Sequence, residues 1–235
     1  MAEKSAGSIR SRVRAEMTEE IKAVARRHLA AEGADLSLRA VARDIGMVSS
    51  ALYRYFPSRD DLLTALIVDA YNALGEVAEK ADAGFGDRRD FAGRWLAVAR
   101  AVRGWALSRP HEYALIYGSP VPGYAAPQDT VVPATRVVLV LGGILADANV
   151  AGVLHPPVHG VRLPAVLRAE LRTIGELIAH GVDERILARG LMAWTELLGS
   201  VSFELFGHYT NVFDERTAWF EYQIRTMLRF IGLAA

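Results

Sequence analysis

Residues 36–61 constrain this chain more than any other segment, because they carry two short helical patterns joined by a tight turn at Gly46. In the first pattern, Ser37 is a good N-cap for a helix whose apolar stripe recurs at i, i+3 and i+4. That stripe consists of Leu38, Val41 and Ala42. Gly46 tolerates the positive φ that a sharp chain reversal needs. This arrangement is typical of a helix-turn-helix, whose second helix can enter a major groove.

The second pattern leaves small, polar and cationic side chains on its outer face. Leu52 and Phe56 can pack on the first helix, and Pro57 ends the second because it lacks an N–H. Small residues allow a helix backbone to approach base edges, while Tyr and Arg supply hydrogen-bond donors. The residues that project outward are Val48, Ser49, Ser50, Tyr53 and Arg54. Ser58 is then expected to cap the next helix.

This stretch resembles the TetR family of bacterial transcriptional regulators. The family pattern is a capping Thr or Ser, an Ile/Val-Ala pair, a Gly, and a run Ala-Leu-Tyr-x-His/Tyr-Phe-x-x-Lys/Arg-Asp/Glu-x-Leu. The matching residues are Ser37, Val41-Ala42, Gly46, Ala51 to Phe56, Arg59-Asp60 and Leu62. The chain departs from the pattern at Val48, where relatives usually carry a capping Ser or Thr, and at Arg59, where Lys is commoner. The resemblance covers roughly residues 15 to 75.

The resemblance implies a dimeric repressor that binds a pseudo-palindromic operator in double-stranded DNA and is released by a small-molecule effector. An activator of the same build would show the same pattern. Phosphate contacts are expected mainly from Tyr53, Tyr55 and Arg59, and base discrimination from residues 48 to 50 together with Arg54. The full set of expected DNA-binding residues is Ser37, Arg39, Val48, Ser49, Ser50, Tyr53, Arg54, Tyr55 and Arg59.

Charge and composition agree with two helical domains. The 235 residues are 51% hydrophobic, enough to bury a sizeable core, and their net formal charge is zero. Residues 1–60 nevertheless hold 11 Lys and Arg against 8 Asp and Glu, as groove binding favours. We predict an all-α protein, with a three-helix helix-turn-helix domain at residues 1–60 and a larger helical ligand-binding and dimerisation domain at 61–235. Residues 1–15 form a basic arm that is either disordered in the free protein, as termini often are, or bound to phosphates or the minor groove.

Helical spacing predicts further helices near residues 58–81, 91–109, 111–117, 130–148, 164–180, 184–208 and 214–232. Asp183 and Asp214 are the expected N-caps of the last two. These two helices are apolar on most sides, so they either fill one core or pair with a second copy as a four-helix bundle. The twofold symmetry of a palindromic site favours the homodimer. The expected interface residues are Leu191, Leu198, Val201, Leu205, Trp219, Tyr222 and Met227.

An effector pocket is also implied by the resemblance, and the supply of aromatic residues favours a hydrophobic or aromatic ligand. Aromatic residues at helical spacing usually fill cores, so core packing is the alternative role for each of them. The candidate pocket residues are Tyr71, Trp95, Trp105, Tyr113, Tyr117 and Trp194.

The sequence carries no enzyme signature, and we expect neither a cofactor nor a metal. His155 and His159 are four residues apart, but two intervening prolines prevent the helix that would align them as metal ligands. The N-terminus lacks an apolar signal core, and the longest apolar run is about half of the roughly 20 residues that cross a bilayer. We therefore expect a cytoplasmic protein with no membrane partner. The alternatives are a helical small-molecule carrier or enzyme with an incidental helix-turn-helix, and a module that binds another protein.

Overall fold

The computed structural model describes residues 2–32, 36–155 and 161–233. Within these ranges the chain forms ten α-helices and one 3-10 turn, with no strand. This confirms the predicted all-α class. The helices are α1 Ala2–Glu32, α2 Leu38–Ile45, α3 Ser49–Leu52, α4 Arg59–Ala83, α5 Phe91–Ser108, α6 Pro110–Tyr117, α7 Val131–Val150, α8 Ala165–Ile178, α9 Glu184–Leu205 and α10 Arg216–Ile231.

The helices group into two compact units. Unit 1 comprises residues 1–70 and 111–130, and unit 2 comprises residues 71–110 and 131–235. Helix α4 carries the chain from the first unit into the second. Nearly all of α6 and the segment after it return to unit 1, so this unit is built from two separate stretches of sequence.

Unit 1 has a single apolar core to which α1, α2, α3 and the first half of α4 contribute one face each. Val121 joins this core from the second stretch of sequence, and Leu115 and Tyr124 pack against it. The hydroxyl groups of Tyr124 and Thr64 lie 2.9 Å apart. The other buried members are Ile21, Val24, Ala25, Leu29, Leu36, Leu38, Val41, Ala42, Leu52, Phe56, Leu62, Leu63 and Leu66.

Ion pairs fix α1 to its neighbours in unit 1. Lys22 and Arg26 both contact the Asp69 carboxylate of α4, at 2.8 Å and 2.5 Å. Burial disfavours the charge of Lys22, but its bonds to Asp69 and Glu19 prevail and raise its pKa. These contacts hold α1 against α4. They also pair the buried Lys22 ammonium, which would destabilise the fold if it had no partner.

Residues 2–15 are helical, which differs from the disordered alternative given for the basic arm. Helix α1 begins at Ala2, so the expectation of disorder is wrong for the described part of the arm, and its contact with phosphates or the minor groove stays a prediction. Arg14 connects α1 to the turn after α3, because its guanidinium donates to the Arg54 carbonyl oxygen at 3.0 Å. The same guanidinium carbon lies 5.1 Å from the centre of the Tyr55 ring, within cation–π range.

In unit 2, α5 packs against α7, α9 and α10, and α8 packs against α7 and α9. Arg94 lies inside this bundle with only 2% of its surface exposed. Its Nε donates to Asp82 at 2.7 Å and its Nη1 to Asp147 at 2.8 Å, which joins the end of α4 to α5 and α7. A buried guanidinium needs such paired acceptors to offset the loss of hydration.

The stretch Gln128–Val150, which includes α7, is long and apolar enough to cross a membrane by length and composition, with a mean hydropathy of 1.7. One third of that stretch is buried, and the charged residues of α7 pair with other residues of unit 2. Arg136 donates to Glu79 and Asn72, and Asp147 accepts from Arg94, all within unit 2. One side of α7 is buried, with Ile144 fully and Leu145 almost fully inaccessible to solvent.

Two predicted caps have different outcomes. Asp183 caps α9 as expected, since its carboxylate accepts from the Arg185 N–H at 2.9 Å. The prediction for Asp214 is wrong, because α10 begins at Arg216 with Glu215 in the N-cap position. The Arg216 N–H bonds to the backbone oxygen of Asp214, so a turn separates this aspartate from the helix. His159 and the two prolines before it lie outside the described residues.

Candidate nucleic-acid interface

Helix α2 and the turn after it are set by local chemistry. The Ser37 hydroxyl accepts from the Ala40 N–H at 3.4 Å and caps the helix. Gly46 follows α2 with φ of 75° and ψ of 21°, the left-handed conformation that glycine adopts without strain. The Gly46 and Met47 N–H groups bond back to α2 carbonyls at 3.0 and 2.9 Å. The predicted cap and turn are therefore confirmed.

Helix α3 is shorter than a full recognition helix, with regular α-helical geometry only over Ser49–Leu52. The following N–H groups still bond backwards: Tyr53 to the Ser49 oxygen at 3.1 Å, and Tyr55 to the Leu52 oxygen at 2.8 Å. The helical path thus continues through these tighter turns as far as Phe56. Leu52, with 0% exposure, and Phe56, with 6%, anchor it in the unit 1 core.

The N-terminal end of α3 is open to solvent. Val48 is 71% exposed although its side chain is apolar, and Tyr53 is 43% exposed. Ser50 and Arg54 are exposed, while Ser49 is half-buried. Val48 holds the N-cap position in extended conformation, and among the described residues no side chain caps this helix. This end of α3 therefore presents a branched apolar side chain to solvent, with no described side-chain acceptor for its first backbone N–H groups.

Three further predicted residues lie around this surface in different ways. Arg39 is exposed on α2. Arg59 is half-buried, and its Nε donates to the Leu36 carbonyl oxygen at 3.2 Å, which ties the start of α4 to the residue before the α2 cap. Tyr55 is half-buried beneath Arg14. Sequence reasoning had placed Arg14 in a loose arm, and no local signal connects it with α3.

Asp44 and His28 add an electrostatic contact beneath the turn. His28 Nε2 lies 2.8 Å from Asp44 Oδ2, linking α1 to the end of α2. This hydrogen bond lowers the pKa of the Asp44 carboxyl below its ordinary value. The contact positions α1 and α2 relative to each other.

Comparison with known proteins agrees with this geometry. A family model described as bacterial regulatory proteins, tetR family, matches residues 21–66, and one described as Tetracyclin repressor-like, C-terminal domain, matches residues 95–227. The HTH-type transcriptional regulator Rv1816 of Mycobacterium tuberculosis is 39% identical over 232 residues, which span 93% of this chain and 94% of that protein. The chain belongs to the TetR family. It is a transcriptional regulator of that family, as the resemblance in residues 36–62 predicted.

Solved structures extend the match beyond the helix-turn-helix. The structure of SCO4313 is 34% identical, with a TM-score of 0.76 over 93% of this chain and 98% of that one. A protein of unknown function from Rhodococcus sp. RHA1 shares the fold at 22% identity, with a TM-score of 0.65 over 89% of this chain and 94% of that one. The match to TetR-family architecture therefore also covers the C-terminal helices, which lie outside the helix-turn-helix motif.

The aromatic residues proposed for an effector pocket fall in both units of this TetR-family chain. Tyr113 and Tyr117 belong to unit 1, and their ring centroids are 5.2 Å apart. The other four belong to unit 2, where Trp95 and Trp105 are buried in α5. Burial raises the pKa of the half-buried Tyr71 hydroxyl. The Trp105 indole N–H is buried and has no hydrogen-bond acceptor among the described residues.

The residues proposed for the dimer interface differ in exposure. Tyr222 is 64% exposed on α10, whereas Val201 is completely buried within unit 2. Val201 offers no surface to a second copy of this TetR-family chain, so it is dropped from the interface. The half-buried members are Leu191, Leu198, Leu205, Trp219 and Met227. Of these, Leu191 packs against the small cluster between α8 and α9.

Proposed function

We propose that this chain acts in the cytoplasm as a homodimeric repressor that binds a pseudo-palindromic DNA operator through the open end of α3. The observation that carries the proposal is the exposure of Val48, Ser50, Tyr53 and Arg54 on one side of a helix whose other side is anchored in a core. Side chains exposed in this way can enter a major groove, where base edges differ between all four base pairs.

The exposed cations and hydroxyls suit two kinds of contact. Tyr53 and Arg39 lie where they can donate to phosphate oxygens, which fixes the register of the protein on DNA. Ser49 and Ser50 have short side chains at the start of α3, and with Arg54 they are suited to base edges. Arg59 donates through Nε to the Leu36 carbonyl oxygen, and its Nη1 lies 3.6 Å from Asp60 Oδ1, so in this proposal a phosphate contact of Arg59 competes with these bonds.

Replacement of Tyr53 tests the phosphate contact. Tyr53→Phe removes only the hydroxyl and keeps the ring, so it should weaken binding to every DNA sequence by about 5- to 10-fold while base preference stays unchanged. Ser50→Ala should instead alter which base is preferred at one operator position. Operator affinity is measured by fluorescence anisotropy over a range of salt concentrations, with circular dichroism as the folding control.

Two outcomes contradict the proposal. Unchanged affinity in Tyr53→Phe removes the phosphate role of that hydroxyl. A folded wild-type protein that ignores duplex DNA at low ionic strength removes DNA binding altogether, and turnover or tight ligand binding without DNA affinity would then favour the carrier or enzyme.

Dimerisation is proposed on the outer face of α9 and α10. Large apolar side chains stand exposed there, with Phe203 at 50%, Phe206 at 46% and Tyr222 at 64%. Gly199 lies among them on α9, and a Cβ added at this position meets no described heavy atom within 4 Å. An exposed apolar face of this kind is typical of an interface, and a glycine at its centre permits close approach of a second helix.

The glycine gives a matched test of this interface. Gly199→Leu fits the isolated chain, since the new side chain meets open space, but it would collide with a twin packed on α9. Gly104 on α5 would also carry a Cβ in open space, and it serves as the control. Light scattering at micromolar concentration should show a monomer for Gly199→Leu and a dimer for Gly104→Leu. A dimeric Gly199→Leu protein would place the interface elsewhere.

Effector control is proposed to act through α4, the helix shared by both units. A small hydrophobic or aromatic ligand bound near the aromatic residues of the second unit would change the tilt of α4 and hence the spacing of the two α3 helices in the dimer. These must sit about 34–36 Å apart to reach successive major grooves. Release requires that the ligand bind the non-operator conformation more tightly, because equal affinity for both shifts nothing.

A further inference from the structure

A groove bounded by α8, α9 and the end of α10 lies entirely within unit 2 and has a volume of about 990 Å³. Its floor is apolar, and two of its side chains are widely exposed, with Met192 at 58% and Leu167 at 44%. The volume is at the upper end of the range of about 300–1,000 Å³ that small-molecule pockets occupy. The remaining apolar lining residues are Val161, Leu163, Pro164, Ala188 and Phe230.

Five arginines line the same groove, against two carboxylates. Two of the arginines are neutralised in place. Arg185 donates to both oxygens of Asp183 at 3.0 Å, and Arg172 donates to Glu184 at 2.8 Å. These pairs account for both acidic residues of the lining, so the other three arginines must find different partners.

Arg162, Arg168 and Arg189 have no carboxylate partner among the described residues. Arg168 donates at 3.4 Å to the Leu163 carbonyl oxygen, and Arg189 donates at 2.8 Å to the Phe230 carbonyl oxygen. Residues 156–160, which precede the groove in sequence, contain no Asp or Glu. The Arg189 guanidinium also lies 4.8 Å from the centre of the Phe230 ring, so this arginine is held within the groove. Three arginines without a described carboxylate partner therefore lie beside one apolar floor.

We propose that this groove binds a single-chain amphipathic anion, such as a medium- or long-chain carboxylate free in solution. The head would pair with Arg162 and Arg168 at the rim, because a guanidinium offers paired N–H donors that match a carboxylate. The tail would lie on the floor beside Leu167 and Met192. The site goes beyond the proposed function, since it uses neither the α3 surface nor the aromatic residues assigned to the effector.

Decanoate is a suitable probe, with decanol as the uncharged analogue, octanoate as the shorter chain and inorganic phosphate as a head group without a tail. In calorimetric titration of the full chain without DNA, decanoate should bind more tightly than decanol and about 10-fold more tightly than octanoate, since each buried methylene contributes up to about fourfold. Phosphate alone should give no measurable heat.

Variants of the groove locate the site. The double variant Arg162→Gln/Arg168→Gln should weaken decanoate binding at least about 10-fold and leave decanol unchanged. Met192→Glu places a carboxylate on the floor and should abolish decanoate binding. Arg89→Gln is the matched control, because Arg89 is exposed far from the groove in sequence and absent from its lining.

Three results would overturn the site. Wild-type decanoate affinity in the double variant would place the anion elsewhere, including at the effector residues. Equal affinity for decanol and decanoate would remove the role of the arginines. A change of molar mass in the double variant, with no decanoate binding by the wild type, would show that a second copy of the chain covers the groove. None of these results depends on operator binding.

Discussion

A substitution at Val48 can separate the stability of α3 from its proposed role in reading DNA. It occupies the N-cap position but has no side-chain oxygen to accept a backbone N–H. It is also 71% exposed, so truncation removes little buried apolar surface. A serine at this position can supply the missing acceptor, and an N-capping hydroxyl contributes about 0.5–2 kcal/mol. We therefore expect Val48→Ser to raise the free energy of unfolding by about 1 kcal/mol.

Val48→Ala is the matched control. Alanine removes the same branched surface and caps no better than valine, so its free energy of unfolding should stay within about 0.5 kcal/mol of the wild type. Urea denaturation followed by circular dichroism measures both changes. With a slope of roughly 1–3 kcal/mol per molar urea, the serine variant should shift the midpoint upward by about 0.3–1 M at unchanged slope.

DNA selection gives the second half of the experiment. An exposed valine at the start of a recognition helix is suited to contact the methyl group of a thymine, so both variants should lose a thymine preference at one operator position. If Val48→Ser is no more stable than Val48→Ala, then the cap geometry described for α3 is wrong. If all three proteins select the same operator, Val48 contacts no base.

Two other substitutions test contacts and conformations that stabilise the fold. Asp82→Asn should lower the free energy of unfolding by about 3 kcal/mol, the low end for a broken buried pair because Arg94 keeps its bond to Asp147. Burial alone would raise the pKa of Asp82, but its bonds to Arg94 and Arg88 prevail and hold it below the ordinary 3.8. That stabilisation is therefore present above the ordinary pKa and is lost as the pH falls through the lower folded value. Denaturation at pH 2–5 should show a smaller loss of stability for Asp82→Asn than for the wild type, because other carboxyls with lowered pKa values, such as Glu79 and Glu221, remain in both proteins. Gly46→Val should lower the free energy of unfolding by about 1–2 kcal/mol, because valine is strained at this positive φ. A Cβ at this position meets no described atom within 4 Å, so no steric clash adds to the effect. An unchanged urea midpoint would contradict this.

Local chemistry explains what the sequence predicted well. The Ser37 cap, the Gly46 turn and the Asp183 cap each depend on one residue and its immediate neighbours, so a short pattern is sufficient to find them. The arrangement of α2 and α3 followed from the same short-range signals. Asp214 failed as a cap because the choice between it and Glu215 depends on the preceding turn, which a single residue type does not determine.

Long-range contacts explain what the sequence could not predict. The pairing of Arg94 with Asp82 and Asp147 joins residues up to 53 positions apart, and no periodicity identifies which carboxylates meet a given arginine. The contact between Arg14 and the turn after α3 is of the same kind. The arginine-lined groove was missed because it combines α8, α9 and the end of α10, each of which is ordinary by itself.

Unit 1 is built from two separate stretches of sequence, so its core cannot be completed until the second stretch has been synthesised. Val121 is only 8% exposed in a core otherwise drawn from residues 21–66, and Leu115 and Tyr124 cover that core. When only the residues up to the end of α4 have emerged from the ribosome, the N-terminal core still lacks Val121 and the residues that cover it. The helix-turn-helix is fully supported only after about 130 residues have been translated, so a fragment cut after α4 should be less stable than the same helices in the whole chain.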